Sequence, residues 1–182
     1  MNILKLFADY PFIPSFLDSG KEITDIVYDS RKARPDTIFV AMRGANRDGH
    51  DSCMNAYENG CRDFVVEHRV TLPNDAITYL VADSRRALSV MSRSLFQFTP
   101  KEEKELAPMQ LIAVTGTKGK TSTCMILRSI LKAAGRKVGY IGTLGVMYDG
   151  KVLETPNTTP ESYEIFRHLR QMRLSGCEYV LI

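Results

Sequence analysis

The chain has 182 residues, 44% of them hydrophobic, and its 24 basic and 21 acidic residues give a formal net charge of +3. This length suits one medium domain, or one small domain joined to part of another. The longest apolar stretches fall far short of the roughly 20 residues that cross a bilayer. No basic block is interleaved with aromatic residues, so the sequence does not predict nucleic-acid binding.

The spacing of the four cysteines and the composition of the amino terminus indicate in which cellular compartment the protein is found, namely the cytoplasm. Cys53, Cys61, Cys124 and Cys177 lack the close spacing of a zinc site and the density of a disulfide scaffold. We predict reduced, mostly buried thiols and no metal site built from them. Residues 1–14 do not have the pattern of a signal peptide, so we expect a cytoplasmic protein.

From residue 23 to about residue 98, short β-rich runs alternate with helical patterns. Residues 26–28, 38–42, 64–67 and 77–82 are bounded by turn residues and predict strands. Residues 50–59 and 84–98 predict helices, the second because Leu88, Met91 and Leu95 recur at three- and four-residue spacings. Residues 99–108 are highly charged between two prolines and predict a solvated connection. We therefore predict domains over 1–98 and 109–182, with a linker over 99–108.

The second predicted domain has the order of a parallel sheet. Strand 111–114, helix 121–134 and strand 138–141 imply a parallel crossover. A hairpin follows with Asp149-Gly150 as its turn, and then a helix with Thr159 as its cap and Pro160 as its first residue. The apolar run 179–182 is typical of a buried central strand, where a natural terminus is unusual, so we expect a fragment of a longer protein.

A glycine- and lysine-containing loop joins the first strand and helix of this domain. We predict that it binds the phosphates of ATP through Gly116, Thr117, Lys118, Gly119, Lys120, Thr121 and Ser122. Glycines let the backbone approach phosphates, Lys120 supplies a cation for the β and γ oxygens, and the Thr121 hydroxyl can bind Mg²⁺. An acidic magnesium ligand is expected beyond Ile182. The alternative is a glycine-rich turn with incidental lysines.

The spacing of this loop differs from the common pattern, because Val114 stands where the first glycine would be. Gly-x-x-Gly-Lys-Thr resembles the loop of the Mur ligases and folylpolyglutamate synthetases. Further motifs resemble the Mur ligases that add the third peptide residue, the UDP-N-acetylmuramoyl-tripeptide synthetases. These motifs are Asp29-Ser30-Arg31, residues 37–41, Gly44, Asp48-Gly49-His50, Gly142-Thr143-Leu144-Gly145 and Asn157-Thr158-Thr159-Pro160.

The resemblance implies an α/β protein: a small uridine-nucleotide-binding domain followed by the first part of a P-loop-type ATPase domain. It implies that the substrate is contacted by Tyr28, Ser30, Ala45, Asn46, Arg47, Asn157, Thr158 and Thr159. Other interpretations of these motifs remain open. Asp29 and Arg31 can form a turn with a surface ion pair, residues 157–159 can cap a helix, and His50 can begin one.

The activity implied by the resemblance is a ligase of peptidoglycan synthesis, and hence of cell-wall biogenesis, cell shape and cell division. ATP would phosphorylate UDP-N-acetylmuramoyl-L-alanyl-D-glutamate, and a diamino acid, diaminopimelate or lysine, would attack the acyl phosphate. Lys120 and Thr121 would be the catalytic residues, with Mg²⁺ as cofactor, and we expect a monomer. Two alternatives remain, namely another Mur- or folylpolyglutamate-type ligase, or a nucleotide-binding module without turnover.

Overall fold

A computed structural model describes residues 1–8, 10–16, 18, 20–44, 47–154 and 160–182. The chain divides into two compact units, Met1–Leu95 and Phe96–Ile182. Both units are α/β, which confirms the predicted fold class. The predicted domain limits of 98 and 109 stay a prediction. No helix in the described ranges is long and apolar enough to cross a membrane.

The first unit is built on a five-stranded sheet in the order β1-β5-β4-β3-β2. Strands β2 to β5 are parallel to their neighbours, and only β1 is antiparallel. The elements are α1 (Ile3–Phe7), β1 (Ile13–Pro14), β2 (Asp25–Val27), β3 (Thr37–Val40), α2 (Cys53–Glu58), β4 (Asp63–Val66), β5 (Ile77–Leu80) and α3 (Ser84–Phe96). Short 3₁₀ turns cover Ser30–Lys32 and Gly49–Ser52.

The core of the first unit follows the predicted hydrophobic pattern. All residues of β3 and β4 are buried, as expected for strands in the middle of a sheet. In α3, Leu88 and Met91 of the predicted apolar stripe are fully buried, and Leu95 is half-buried. Each of the four β-rich runs forms a strand within two residues of its predicted limits. For β3 and β4 the reason is burial on both faces, which selects the same residues that the pattern does.

A buried carboxylate lies at the amino-terminal end of β4. The side chain of Asp63 is 1% exposed, and one of its oxygens lies 2.6 Å from the Lys21 ammonium group. The other accepts a hydrogen bond of 2.9 Å from the Tyr79 hydroxyl. Burial, followed by the nearby Asp63 charge, raises the pKa of Tyr79 well above its usual range. Asp63 thus ties the segment before β2 to the middle of the sheet.

The second unit contains a mixed five-stranded sheet in the order β6-β10-β7-β8-β9. Strands β6, β10 and β7 are parallel, while β8 and β9 form an antiparallel extension. The elements are α4 (Pro100–Glu105), β6 (Gln110–Ile112), α5 (Lys120–Ala133), β7 (Val138–Gly142), β8 (Gly145–Tyr148), β9 (Lys151–Leu153), α6 (Ser162–Leu174) and β10 (Tyr179–Leu181).

Two helices pack on the second sheet through separate clusters. Cys124 of α5 packs with Val138, Tyr140 and Leu181. Met172 of α6 belongs to a different cluster with Ile141, Val146 and Val180. Alternate residues of β7 therefore serve different helices, as the two-residue period of a strand requires. The parallel pairing of β6, β10 and β7 confirms the predicted parallel arrangement.

The β8–β9 connection is the predicted hairpin. Its two turn residues, Asp149 and Gly150, have φ values of 49° and 73°. Positive φ at both positions is the geometry of a type I′ turn, which matches the twist of antiparallel strands.

Two predictions of local structure are wrong. Residues 100–105 form a helix rather than an open connection, because Thr99 and Glu102 make a capping box. Arg170 and Arg173 of α6 then hold Glu102 and Glu103 in ion pairs. Helix α6 begins at Ser162 rather than at Pro160, since its N-cap Glu161 has extended backbone with ψ of 160°. Thr159, the predicted cap, lies outside the described residues.

The cysteine prediction is confirmed, since Cys53, Cys61, Cys124 and Cys177 are free and buried.

Candidate functional site

The phosphate loop lies between the end of β6 and the start of α5. Its two glycines have positive φ, 148° at Gly116 and 79° at Gly119, in a region that side chains with a Cβ rarely enter. Gly119 is the N-cap of α5 and has no side chain to cap the helix. The first amide groups of a helix have no partner within it. The start of α5 is therefore a ready position for an anion.

The side chain of Lys120 folds back and contacts the backbone of this loop. Its ammonium group donates a hydrogen bond of 2.5 Å to the carbonyl oxygen of Gly116, and both residues are exposed. A phosphate oxygen is a stronger acceptor for this cation than a carbonyl oxygen, because it carries negative charge. Thr117, Lys118 and Ser122 are exposed around the same turn, and the first turn of α5 contains no acidic residue.

A cavity of about 180 Å³ opens beside the loop, at the carboxyl ends of the parallel strands. Its polar lining includes Lys120 and Thr121 from α5, and Thr143 from the segment after β7. The hydroxyl of Thr121 donates to the hydroxyl of Thr143 over 3.4 Å. In open parallel sheets, ligands bind in this crevice outside the strand ends. The cavity is thus adjacent to the predicted phosphate site and shares its two catalytic candidates.

Several cavity residues were missed by the sequence analysis, among them Thr143, Gly142 and Tyr140. Thr143 and Gly142 belong to a motif that had been noticed but given no role, and Tyr140 looked like an ordinary strand residue. Cys124 also lines the cavity. Burial raises the pKa of its thiol, so it acts there as an apolar group.

The second set of predicted residues lies at one edge of the sheet in the first unit. Tyr28 and Ser30 follow β2, and Arg47 follows β3, which is paired in parallel with β2. Parallel pairing puts the carboxyl ends of both strands at the same edge. Tyr28 and Ser30 are half-buried, and Arg47 is exposed. Ala45 and Asn46 lie outside the described residues, as do Asn157, Thr158 and Thr159.

Asp29 and Arg31 form the turn and surface ion pair that was left open as an alternative. The Asp29 carboxylate accepts hydrogen bonds from the Arg31 backbone amide at 3.1 Å and from Nη2 at 2.8 Å. The hydrogen bond from the Arg31 side chain lowers the pKa of Asp29. These two side chains therefore shape the turn that carries Ser30.

The loop that carries Arg47 is held closed at its base. The Gly44 amide donates to the Arg47 carbonyl at 2.9 Å, and Arg43 Nε donates to Asp48 at 3.1 Å. His50 Nε2 accepts a hydrogen bond of 2.9 Å from the Glu67 backbone amide, while Nδ1 lies 2.5 Å from Asp48. Hydrogen bonds from the His50 backbone and side chain lower the pKa of Asp48. His50 is thus a structural residue behind the loop.

The two other histidines lie in surface and packing positions, as predicted. His68 is exposed and stacks on His50 with ring centroids 4.1 Å apart. His168 is buried in α6. Among the residues that the structure describes, no group of three His, Cys, Asp or Glu side chains could hold a metal ion.

Two protein-family models match this chain. "Mur ligase family, catalytic domain" matches residues 22–109, and "Mur ligase middle domain" matches residues 114–182. The UDP-N-acetylmuramoyl-L-alanyl-D-glutamate--2,6-diaminopimelate ligase of Clostridium botulinum is 35% identical over 185 residues, an alignment that covers 100% of this chain and 36% of that protein. The chain thus spans about a third of the length of the curated relatives it matches.

Solved structures show the same fold. A structure of a UDP-N-acetylmuramoyl-L-alanyl-D-glutamate--2,6-diaminopimelate ligase matches 100% of this chain and 35% of its own, with a TM-score of 0.75 and 20% identity. A MurF ligase from Thermotoga maritima in complex with ADP matches 88% of this chain and 31% of its own, with a TM-score of 0.53 and 24% identity.

Proposed function

Because the chain belongs to the Mur ligase family, we propose that the protein carrying it is an ATP-dependent ligase of peptidoglycan-precursor synthesis. The proposed substrate is UDP-N-acetylmuramoyl-L-alanyl-D-glutamate, and the third residue that it receives is 2,6-diaminopimelate. The names of its relatives support this choice, whereas the sequence alone left diaminopimelate and lysine open.

The observation that carries the proposal is the phosphate loop itself. Gly116 and Gly119 shape it, Lys120 lies at the start of α5, and the cavity adjoins Lys120 and Thr121. Backbone amides, the helix dipole and an ammonium group together favour a polyphosphate at this place. A related fold, in the Thermotoga maritima ligase, was solved with ADP, which supports an adenine nucleotide as the ligand.

The proposed reaction has two steps, because a carboxylate resists attack by an amine. In the first, a carboxylate oxygen of the D-glutamyl side chain attacks the γ-phosphorus of ATP, which forms an acyl phosphate and releases ADP. In the second, the amine attacks the acyl carbon, phosphate leaves, the nitrogen loses a proton and an amide bond forms. Lys120 and the loop amides stabilise the charge that develops on the phosphates in the first step.

Magnesium fits the polar side of the cavity. The hydroxyl oxygens of Thr121 and Thr143, 3.4 Å apart, are the hard oxygen donors that Mg²⁺ prefers, and Thr121 would bind it. When bound, the ion would neutralise phosphate charge. Mg²⁺ as a cofactor is part of the proposal.

The first unit would hold the uridine nucleotide end of the substrate. Tyr28, Ser30 and Arg47 lie at one edge of its sheet, and Ala45 and Asn46 belong to the same proposed site by sequence. Residues 157–159 are proposed to lie near ATP and the muramoyl peptide, on the resemblance alone.

Replacing Lys120 by alanine tests the proposal in the 182-residue chain. Charge-assisted hydrogen bonds contribute about 1.5–3 kcal/mol each, so ATP binding measured by calorimetry should weaken by roughly 10- to 100-fold. Binding of UDP should stay unchanged. Lys132→Ala is the matched control, because Lys132 is an exposed lysine in the last turn of the same helix. Equal losses of ATP and UDP binding would contradict the proposal that the second unit binds ATP and the first unit binds the uridine nucleotide.

The substrate class needs a separate assay on the protein that carries this chain. ATP hydrolysis should be stimulated by UDP-N-acetylmuramoyl-L-alanyl-D-glutamate together with diaminopimelate. Stimulation of ATP hydrolysis by a folate instead would assign the protein to the folylpolyglutamate-type ligases.

A further inference from the structure

Tyr140 lies at the floor of the cavity beside the phosphate loop. It is the middle residue of β7 and is 2% exposed. Its side chain faces α5 and packs in the cluster that contains Cys124 and Leu181. It also lines the cavity together with Lys120 and Thr121. Tyr140, which the strand pattern of β7 assigns to the core, is thus close enough to contact a nucleotide in this cavity.

The phenol ring extends along β7 toward the carboxyl edge of the sheet. A Cβ added to Gly142 would lie 2.3 Å from the Tyr140 hydroxyl oxygen and 2.7 Å from the ring carbon that bears it. The hydroxyl group therefore occupies the space that a side chain at position 142 would take. Gly142 immediately precedes Thr143, whose hydroxyl contacts Thr121. The Tyr140 hydroxyl consequently reaches the polar end of the cavity.

No hydrogen bond within the described ranges uses this hydroxyl, and its oxygen is not one of the fully buried polar atoms that lack a partner, so it opens on the cavity. A tyrosine hydroxyl that opens on a cavity in this way is free to donate a hydrogen bond to a ligand there. The cavity of about 180 Å³ is several times the roughly 30 Å³ that a water molecule occupies in the liquid. There is room here for a phosphate group beside the hydroxyl.

We propose that the Tyr140 hydroxyl donates a hydrogen bond to the terminal phosphate of a bound nucleoside triphosphate. The inference rests on the proposed nucleotide site. Loop amides of such sites cradle the inner phosphates, while the lysine reaches the β and γ groups. The phosphate that enters the cavity past Lys120 and Thr121 is the last one. Tyr140 therefore distinguishes a triphosphate from a diphosphate.

Tyr140→Phe tests the inference, because it removes the hydroxyl and keeps the ring. The 182-residue chain is titrated calorimetrically with ATP and separately with ADP, both with Mg²⁺. ATP affinity should fall by roughly 10-fold, or about 1.4 kcal/mol, while ADP affinity changes by less than about 2-fold. Tyr148→Phe is the matched control. Tyr148 is buried in β8 but belongs to the cluster that packs with α6, so neither affinity should change.

The ratio of ATP to ADP affinity is the decisive measurement, since a general loosening of the core would weaken both nucleotides alike. An unchanged ratio in Tyr140→Phe overturns the inference. If Lys120→Ala weakens ATP binding and Tyr140→Phe leaves the ratio of ATP to ADP affinity unchanged, the proposed nucleotide site is supported and the proposed role of Tyr140 is refuted. If the unaltered chain binds neither nucleotide, both proposals fall.

Discussion

Replacing Gly119 by alanine tests whether the left-handed backbone at the start of α5 belongs to the nucleotide site. Gly119 has a φ of 79°, and an added Cβ would meet nothing within 4 Å in the described part of the chain. The substitution therefore introduces backbone strain without a clash. Gly135, just beyond the other end of α5, has a φ of 77° and equally open surroundings among the described residues. Gly135→Ala is the matched control.

The two variants should lose similar stability. Left-handed backbone costs a residue with a Cβ roughly 1–2 kcal/mol. Alanine also restricts the unfolded chain, which offsets about 0.4–1 kcal/mol of that cost. The net loss of unfolding free energy is thus about 0.5–1 kcal/mol in each variant. For a unit of this size, the unfolding midpoint falls by roughly 2–8 °C.

Their effects on ATP binding should differ. Alanine at position 119 relieves part of its strain by shifting the backbone away from the left-handed region, which turns the loop amides away from the phosphates. Restoring the loop on binding costs the part of the strain that was relieved, about 1 kcal/mol, so ATP affinity falls roughly 5-fold. Gly135→Ala should bind ATP like the unaltered chain in the same calorimetric titration. Unchanged binding by Gly119→Ala, or an equal loss in both variants, would refute the reasoning.

Two further predictions concern stability. Asp63→Ala should lower the unfolding free energy by about 3–5 kcal/mol in a denaturant titration, because Lys21 and Tyr79 lose a buried partner. Asp75 is exposed, so Asp75→Ala should lower the unfolding free energy by less. Equal losses in the two variants would be inconsistent with the buried pair. Hydrogen bonds from Thr99, and then from Arg170, lower the pKa of Glu102 in the folded chain. The ionised Glu102 side chain therefore stabilises the folded chain above the unfolded pKa of about 4.3, and this contribution disappears as pH falls through the folded pKa. As pH falls from about 5 into the acid range, the thermal midpoint should fall less in Glu102→Gln than in the unaltered chain, and parallel curves would contradict this.

The strands were predictable from the sequence because burial on both faces leaves a continuous apolar run. Residues 38–42 and 64–67 were recognised for this reason, and they correspond to β3 and β4. Helix α4 was not predicted. Its residues are charged in sequence, and ion pairs to arginines about 70 positions later hold it on its unit. A local pattern contains no information on such a distant partner.

The candidate site was predictable only where backbone geometry dictates the residue type. Gly116, Gly119 and Lys120 were identified from their order between a strand and a helix, and the structure puts them in one loop. Tyr140 could not be found in this way, because a tyrosine in a strand is ordinary. Its proximity to the loop depends on the parallel packing of β7 beside β10 and under α5.

The glycines near the two candidate sites serve different physical purposes, which the sequence does not distinguish. Gly119 supplies a backbone conformation in open space. Gly49 has no positive φ, but a Cβ there would lie 2.7 Å from the backbone nitrogen and oxygen of Met42, so it allows the loop base to close. Gly142 makes room for a neighbouring side chain that carries a polar group into the cavity. A glycine next to a functional motif is therefore informative about ligand contacts when the atom filling its missing side-chain space is itself a hydrogen-bond donor, as the Tyr140 hydroxyl is.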